Sequence, residues 1–448
     1  MEAIILAGGL GTRLRSAVSD LPKCLAPITA ISSGVAEGCH FKTVACGDPS
    51  RLLRNHPYPL TRPRVATGFE MTPSSTPPDS VPFLFFLLEE LGRQGVTRVI
   101  LSVGYLREKV MEFVNGREWP FEVAWAVEEE PLGTGGAIRL ALSMAREERV
   151  LVLNGDTFFH VELAELLDVE APVAMALKPM RDFDRYGTVS VIPSAPSPVI
   201  PNEREGSVRV QSFREKQPCA EGLINGGVYT IDRYLFEDLA LPGKFSFEEA
   251  VLPPLAGAGK VAGKVFDSYF IDIGIPSDYE RAQQELPELR NVLRVASEVL
   301  ATEADTLFLD RDGVINRYIP NDYVTSLDKF VILPGIPAVM AAWAKRFHRI
   351  ILVTNQRGIA RGRFTRETLD AIHRHMLSVI EAAGGRIDAI YVSTAIPEDD
   401  PSRKPQPGMF LEACRDFPEI RPERSVMVGD ADSDEAFARN CGMAFVRA

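Results

Sequence analysis

The chain has 448 residues, 46% of them hydrophobic and 25% charged, with a formal net charge of −12. That length exceeds one ordinary domain, and the composition is that of a soluble globular protein able to bury large cores. The negative balance argues against nucleic acid or an anionic membrane as the main partner, but local Arg, Lys and metal ions can still bind small phosphorylated substrates within one cleft.

The first element is AIILAG, a strand-like run that begins at Ala3, so no signal peptide is expected and the chain reads as cytoplasmic. It ends in LAGGLGTRL, residues 6–14, where Gly8, Gly9 and Gly11 let backbone amides approach an anion and Arg13 can add a charge-assisted contact. Lys23 follows in LPKCLAP. From Thr29 to about Val81 the rhythm breaks into a Ser-, Thr-, Pro- and Gly-rich segment with no sustained period, read as an extruded insertion spanning 29–81. Cys39, His40, Cys46 and His56 lie in it at a spacing that fits no standard zinc pattern. The remaining cysteines (Cys24, Cys219, Cys414, Cys441) are equally scattered, which suggests reduced thiols rather than a disulfide scaffold.

VPFLFFLLEEL, the longest apolar stretch, is too short to span a bilayer and reads as a buried core helix. The strand-like runs RVILSVG and RVLVLNGD alternate with helical patterns, the rhythm of α/β architecture. Between and after them come EEEPLGTGGAI (128–138), NGDTFF from Asn154, FREK (213–216), LINGGVY (223–229) and FIDIGIPSDY (270–279).

In order and spelling these segments resemble the sugar-1-phosphate nucleotidyltransferases over residues 1–28 and about 82–285. The resemblance implies a Rossmann-like domain in which a sugar-1-phosphate oxygen attacks the α-phosphorus of a nucleoside triphosphate and pyrophosphate leaves. It assigns Gly8, Gly9, Gly11, Thr12 and Arg13 to the triphosphate, Lys23 to the reacting centre, and Glu128 and Gly133 to the base. Asp156 and Asp272 would hold Mg²⁺, and Gly187, Glu215, Lys216 and Asn225 the sugar phosphate. The insertion departs from the family pattern.

A helical connector, SDYERAQQELPELRNVLRVASEV, leads to a boundary near residue 300, with 1–285 as the first domain, 286–302 as linker and 303–448 as the second domain. The second domain opens on TLFLDRDG, where strand geometry points Asp310 and Asp312 the same way, toward one cation such as Mg²⁺. RIILVTNQ, AIYVS, SRKPQPGM and VMVGDADSD supply further strand ends carrying Thr354, Asn355, Lys404, Asp430 and Asp434. LDAIHRHMLSVIEAAGG between them is an amphipathic helix whose His373 and His375 are expected to face solvent.

This order resembles the haloacid-dehalogenase-like phosphatases over about residues 303–448, with intervals too short for a large cap. The resemblance makes Asp310 the nucleophile and Asp312 the general acid and base. Thr354, Asn355, Arg403 and Lys404 would bind phosphate, and Asp310, Asp312 and Asp430 would surround Mg²⁺, with Asp434 orienting Lys404 or outer-shell water, or serving a purely structural role. The spelling is nearest the branch acting on heptose bisphosphate or histidinol phosphate, but YVSTAIPEDDPSRKP lacks that branch's Cys/His loop, so no zinc is expected.

The two resemblances together imply one enzyme that removes one phosphate from heptose 1,7-bisphosphate and transfers GMP from GTP to the surviving 1-phosphate. The alternatives are a hexose-1-phosphate transferase joined to a histidinol-phosphate-type phosphatase, and a non-catalytic nucleotide-sugar sensor attached to a phosphatase. Its partners would be small molecules, with no nucleic acid and no membrane; the oligomeric state is not legible.

Overall fold

The structure, a computed structural model, describes residues 1–9, 14, 21–29, 80–193, 206–214 and 218–448. Gly11, Thr12, Arg13, Glu215, Lys216 and the Cys39, His40, Cys46, His56 group lie outside the described residues.

The first domain is built on a nine-stranded sheet. Its entry half is parallel: Glu2–Leu6 pairs with Arg98–Val103 on one side and Arg149–Asn154 on the other, and Glu122–Val127 extends the edge. The three inner strands are rich in Val, Ile and Leu because both faces are buried, Ala3 and Ile5 joining one apolar cluster and Ile4 another. The other half is mixed, since Cys219–Asp232 runs antiparallel to both Arg149–Asn154 and Val173–Phe183. The expectation of a parallel sheet therefore holds for only part of this domain. Alternation at 219–232 does not distinguish strand direction. Phe83–Arg93, the expected core helix, buries Phe83, Leu84, Phe86, Leu87, Leu88 and Leu91.

The insertion leaves from a closed base. Pro27–Thr29 and Ser80–Pro82 form an antiparallel pair with Thr29 opposite Ser80. The backbone N–H and Oγ1 of Thr29 both donate to Gln283 Oε1, at 2.8 and 3.0 Å.

The second domain is a five-stranded, wholly parallel sheet. Its order is Ala389–Ser393, Arg349–Asn355, Thr306–Leu309, Ser425–Gly429 and Ala444–Arg447, with Thr306–Leu309 at the centre. The last strand was not among the sequence runs singled out. Helix Arg366–Ala382 covers one face and buries Leu369, Ile372, His373, Met376 and Ile380. His373 is thus a correction: it lies in the core with Nε2 3.5 Å from Arg311 Nη1, while His375 is exposed beside Phe330. The i, i+2 spacing separates their faces as expected, but one of those faces is the buried one.

One helix joins the domains. Pro276–Leu300 runs unbroken across the boundary drawn at 285/286, with Pro287 inside it. Its Leu286, Leu289, Val292, Leu293 and Val299 belong to a single apolar cluster that holds Ile5 and Leu101 on one side and Leu307, Ile336 and Trp343 on the other. Arg290 ties it back to Glu89 at 2.7 Å, and Glu288 accepts two bonds of 2.7 Å from Arg317 in the second domain. The two sheets are therefore not independent bodies on a loose connector. No helix among the described residues is long and apolar enough to cross a membrane.

Candidate active sites

The first site lies at the carboxyl ends of Glu2–Leu6 and Arg149–Asn154. The chain builds outward through 98–103 and 122–127 and then returns to the far side of the first strand. That reversal opens a crevice where the two strand ends diverge, the usual ligand position in open α/β sheets. A cleft of about 480 Å³ occupies it, lined among others by Gly8, Gly9, Lys23, Glu128, Gly133 and Asp156.

Asp156 and Asp272 converge by strand pairing. Phe270–Asp272 lies antiparallel to Thr157–Phe159, and the Ile273 amide donates to the Asp156 carbonyl at 3.0 Å. Lys23 Nζ makes a close ion pair with Asp156 and lies 3.9 Å from Asp272 Oδ1. Burial pushes the Asp272 carboxyl above its ordinary range, and the Asp156 charge adds to the push. A divalent cation would relieve that repulsion, and the oxygen donors suit Mg²⁺.

Glu128 lies on the opposite wall, where its carboxylate accepts from Ser102 Oγ and from the Leu132 amide, both at 3.1 Å. It thereby closes the turn that leads into helix Gly133–Leu142. That helix starts beneath a strap, residues 242–248. The Phe245 amide donates to the Leu132 carbonyl and the Gly135 amide to the Phe245 carbonyl, each at 3.0 Å. Thr134 Oγ1 donates to Glu248 at 2.6 Å. Gly133 has φ of +72°, and a Cβ there would stand 2.5 Å from the Phe245 carbonyl oxygen; at Gly135 it would meet the Phe245 ring at 2.2 Å. The glycines of LGTGG are thus required by the strap's close approach. The aromatic pair in KFSFEE was the available signal for it, and sequence reasoning passed it over.

On the sugar-phosphate side, a Cβ on Gly187 would meet the Arg214 carbonyl oxygen at 2.5 Å. Asn225 is held by local bonds, with Nδ2 2.7 Å from Tyr229 Oη and Oδ1 accepting from the Gly227 amide at 3.1 Å.

The second site sits at the end of the central strand 306–309. Lys404 Nζ is 2.8 Å from Asp310 Oδ1 and 2.7 Å from Asp434 Oδ1, all three side chains being buried. Carboxylate oxygens of Asp310, Asp430 and Asp434 lie within 4.8 Å of one another. Burial pushes the Asp310 carboxyl well up, against the pull of Lys404. It pushes Asp430 up to about 6, with help from the Asp434 charge. The clustered carboxylate oxygens are donors that a magnesium ion would take, and the Lys404 ammonium beside them offsets part of their charge.

Asp312 is placed differently from Asp310 and Asp430. Both its oxygens accept from Arg311 Nη2 at 2.9 Å, Oδ1 also accepts from Asn316 Nδ2, and Oδ2 from Gln356 Nε2, again at 2.9 Å. These bonds hold its carboxylate apart from the group of Asp310, Asp430 and Asp434, while Asp434 pairs with Lys404 and accepts from the Ala431 amide at 3.1 Å. Burial would push the Asp312 carboxyl up, but the Arg311 charge and the two amides overcome this and hold it below the usual carboxylate range. Sequence reasoning missed Arg311, Asn316 and Gln356; their only signal was adjacency to the Asp pair and to Thr354.

Thr354 Oγ1 accepts from Gln356 Nε2 at 2.9 Å. Asn355 grips the backbone of Lys404, donating to its carbonyl and accepting from its amide, both at 3.1 Å. Its side chain therefore sets the position of Lys404. Arg403 is buried, donating to the Ile396 carbonyl with Glu398 at 3.8 Å.

Comparison with known proteins matches residues 58–288, just over half of the chain, to the nucleotidyl transferase family, and residues 228–442 to the haloacid dehalogenase-like hydrolases. A D-glycero-alpha-D-manno-heptose 1-phosphate guanylyltransferase from Aneurinibacillus thermoaerophilus is 38% identical over 64% of this chain and 98% of its own length. A D-glycero-alpha-D-manno-heptose-1,7-bisphosphate 7-phosphatase from Mycobacterium bovis is 38% identical over 31% of this chain and 73% of its own. The crystal structure of HddC from Yersinia pseudotuberculosis is 28% identical, with a TM-score of 0.46 over 63% of this chain and 98% of that one. Both families are families of enzymes, and the chain belongs to the nucleotidyl transferases through its first part and to the haloacid dehalogenase-like hydrolases through its second.

Proposed function

We propose that the chain removes the 7-phosphate of D-glycero-D-manno-heptose 1,7-bisphosphate and then transfers GMP from GTP to the heptose 1-phosphate, giving GDP-heptose and pyrophosphate. The observation that carries this reading is the pairing of relatives. One chain covers almost the whole of a heptose-1-phosphate guanylyltransferase and most of a heptose-bisphosphate phosphatase. The chemistry agrees: a phosphatase joined to this transferase must leave the 1-phosphate intact, and a bisphosphate substrate allows that.

In the phosphatase domain, 303–448, Asp310 is the nucleophile whose carboxylate attacks phosphorus while the sugar oxygen departs. Lys404 and Thr354 hold the phosphoryl oxygens, and Asn355 keeps Lys404 in place. Asp312, fixed by Arg311, Asn316 and Gln356, serves the leaving oxygen and then the attacking water. Asp310, Asp430 and the neighbouring Asp434 would hold Mg²⁺, which when bound offsets phosphate charge.

In the transferase domain, 1–285, Lys23 meets the phosphates beside the reacting centre, and Asp156 with Asp272 would hold a second Mg²⁺. Gly8 and Gly9, with Gly11, Thr12 and Arg13 beyond the described residues, line the triphosphate. We place the protein in the cytoplasm.

The test supplies purified protein with heptose 1,7-bisphosphate, GTP and Mg²⁺ and follows phosphate and pyrophosphate separately. Asp310→Asn should abolish phosphate release yet still produce pyrophosphate from added heptose 1-phosphate. Asp156→Ala should do the reverse. Full turnover of both steps in either variant would refute the assignment.

A further inference from the structure

Among the described residues, two ammonium groups line the cleft of the first domain, Lys23 and Lys244. Lys23 is engaged by Asp156 and Asp272. For Lys244, the structure gives no hydrogen bond or ion pair among the described residues, although its side chain faces the same space as Glu128, Pro131, Gly133 and Thr134. Its strap is bonded to Leu132, Gly135 and Thr134, beside the turn that Glu128 closes, so its ligand is the part of the substrate that lies on that turn.

The mount of Lys244 is rigid. Its neighbour Phe245 exchanges backbone bonds with Leu132 and Gly135, and Arg139 stacks 5.0 Å over the Phe245 ring while donating to the Pro242 carbonyl at 3.0 Å. Phe247 donates its amide to Thr134 Oγ1 at 2.9 Å. A cation held on such a strap is positioned to read a ligand rather than to wander.

We propose that Lys244 is a specificity-determining residue that donates to the O6/N7 edge of a guanine base, with the Glu128 carboxylate serving the donors beside it. This rests on the guanylyltransferase reading above and names the residue that selects the base. Guanine presents acceptors at N7 and O6, whereas adenine replaces O6 with an amino donor that an ammonium repels. Guanine also carries N–H groups at positions 1 and 2, and Glu128, although it accepts from Ser102 and Leu132, keeps further lone pairs for them.

The experiment measures kcat/KM for GTP, ITP, ATP and UTP with heptose 1-phosphate in the full chain, for wild type, Lys244→Met and Lys244→Arg. Lys244→Met should lose about 10- to 100-fold with GTP and equally with ITP, which shares O6 and N7. ATP and UTP should change less than 3-fold, and Lys244→Arg should recover most of the GTP activity because it restores donors. Equal loss with all four triphosphates would make Lys244 a phosphate contact and overturn the proposal, as would no loss at all. If wild type transfers no nucleotide to heptose 1-phosphate, the catalytic reading fails separately. Lys244 is then judged by Kd: a GTP-over-ATP preference that Lys244→Met abolishes sustains the proposal, and an unchanged preference ends it.

Discussion

At the scale of single residues, several side chains work through a neighbour. Asn355 looks like a phosphate ligand in the run T-N-Q, yet its amide spends one donor and one acceptor site on the Lys404 backbone. Asn355→Ala should cost about 1–3 kcal/mol and displace Lys404. Phosphate release should then fall at least tenfold while pyrophosphate release from added heptose 1-phosphate is unchanged, so each activity serves as the control for the other. His160 makes a prediction about pH. Burial, aided by the Arg93 charge, pushes its imidazole down to about 4, with Nδ1 3.0 Å from Glu90 Oε1. The folded state prefers the neutral ring, so this contribution to stability is complete above the unfolded value near 6.5 and is lost as the pH falls from there toward 4. The loss amounts to about 3 kcal/mol. His373, also pushed down to about 4 by burial and by Arg311, adds a loss of the same sign. Urea midpoints at pH 7 and pH 4.5 should therefore differ less in His160→Gln than in wild type.

At the scale of elements, the strand ends were the legible part. Asp156, Asp272, Asp310 and Asp430 could be placed because acidic residues that end apolar runs fall on the ligand side of an α/β sheet. Contacts between distant segments were not legible. Nothing local in LGTGG reveals a strap arriving from residues 242–248, and nothing in DRDG reveals that Arg311 holds Asp312 apart from the other acids. The mixed half of the first sheet was missed because alternation reports a strand's faces and not its direction. The strap yields a direct test: Gly135→Ala would drive a methyl group into Phe245 and cost about 1–3 kcal/mol. It should depress nucleotidyl transfer and leave phosphate release intact. The insertion yields another. Thr29 and Ser80 are already paired, and closing a loop adds little per residue. Replacing residues 30–79 with Asn-Gly should give a hairpin in the same register. Such a variant should melt within a few degrees of wild type; a chain that fails to fold would show that the excised residues supply part of the core.

At the scale of the whole molecule, helix Pro276–Leu300 decides how the parts communicate. Leu289 is buried, and its Cδ1 lies 2.7 Å from where a Cβ on Gly335 would project. Leu289→Ala should cost about 2–5 kcal/mol. Because the cluster is shared, calorimetry should show both domains losing stability together, whereas a chain with separable domains would show only one transition move. The sequence reading took 286–302 as a helical linker between two strand-and-helix units. The apolar stripe that makes it a seam is the same stripe that any surface helix carries, so only the assembled fold distinguishes the two.

A joint of this kind is filled with packed side chains. The helix that spans the boundary is itself part of the shared apolar cluster, so neither sheet hangs from a separate arm. Fusion fixes proportion, since each hydrolase half is made with one transferase half, and a cut at the junction would uncover the oily side of the helix.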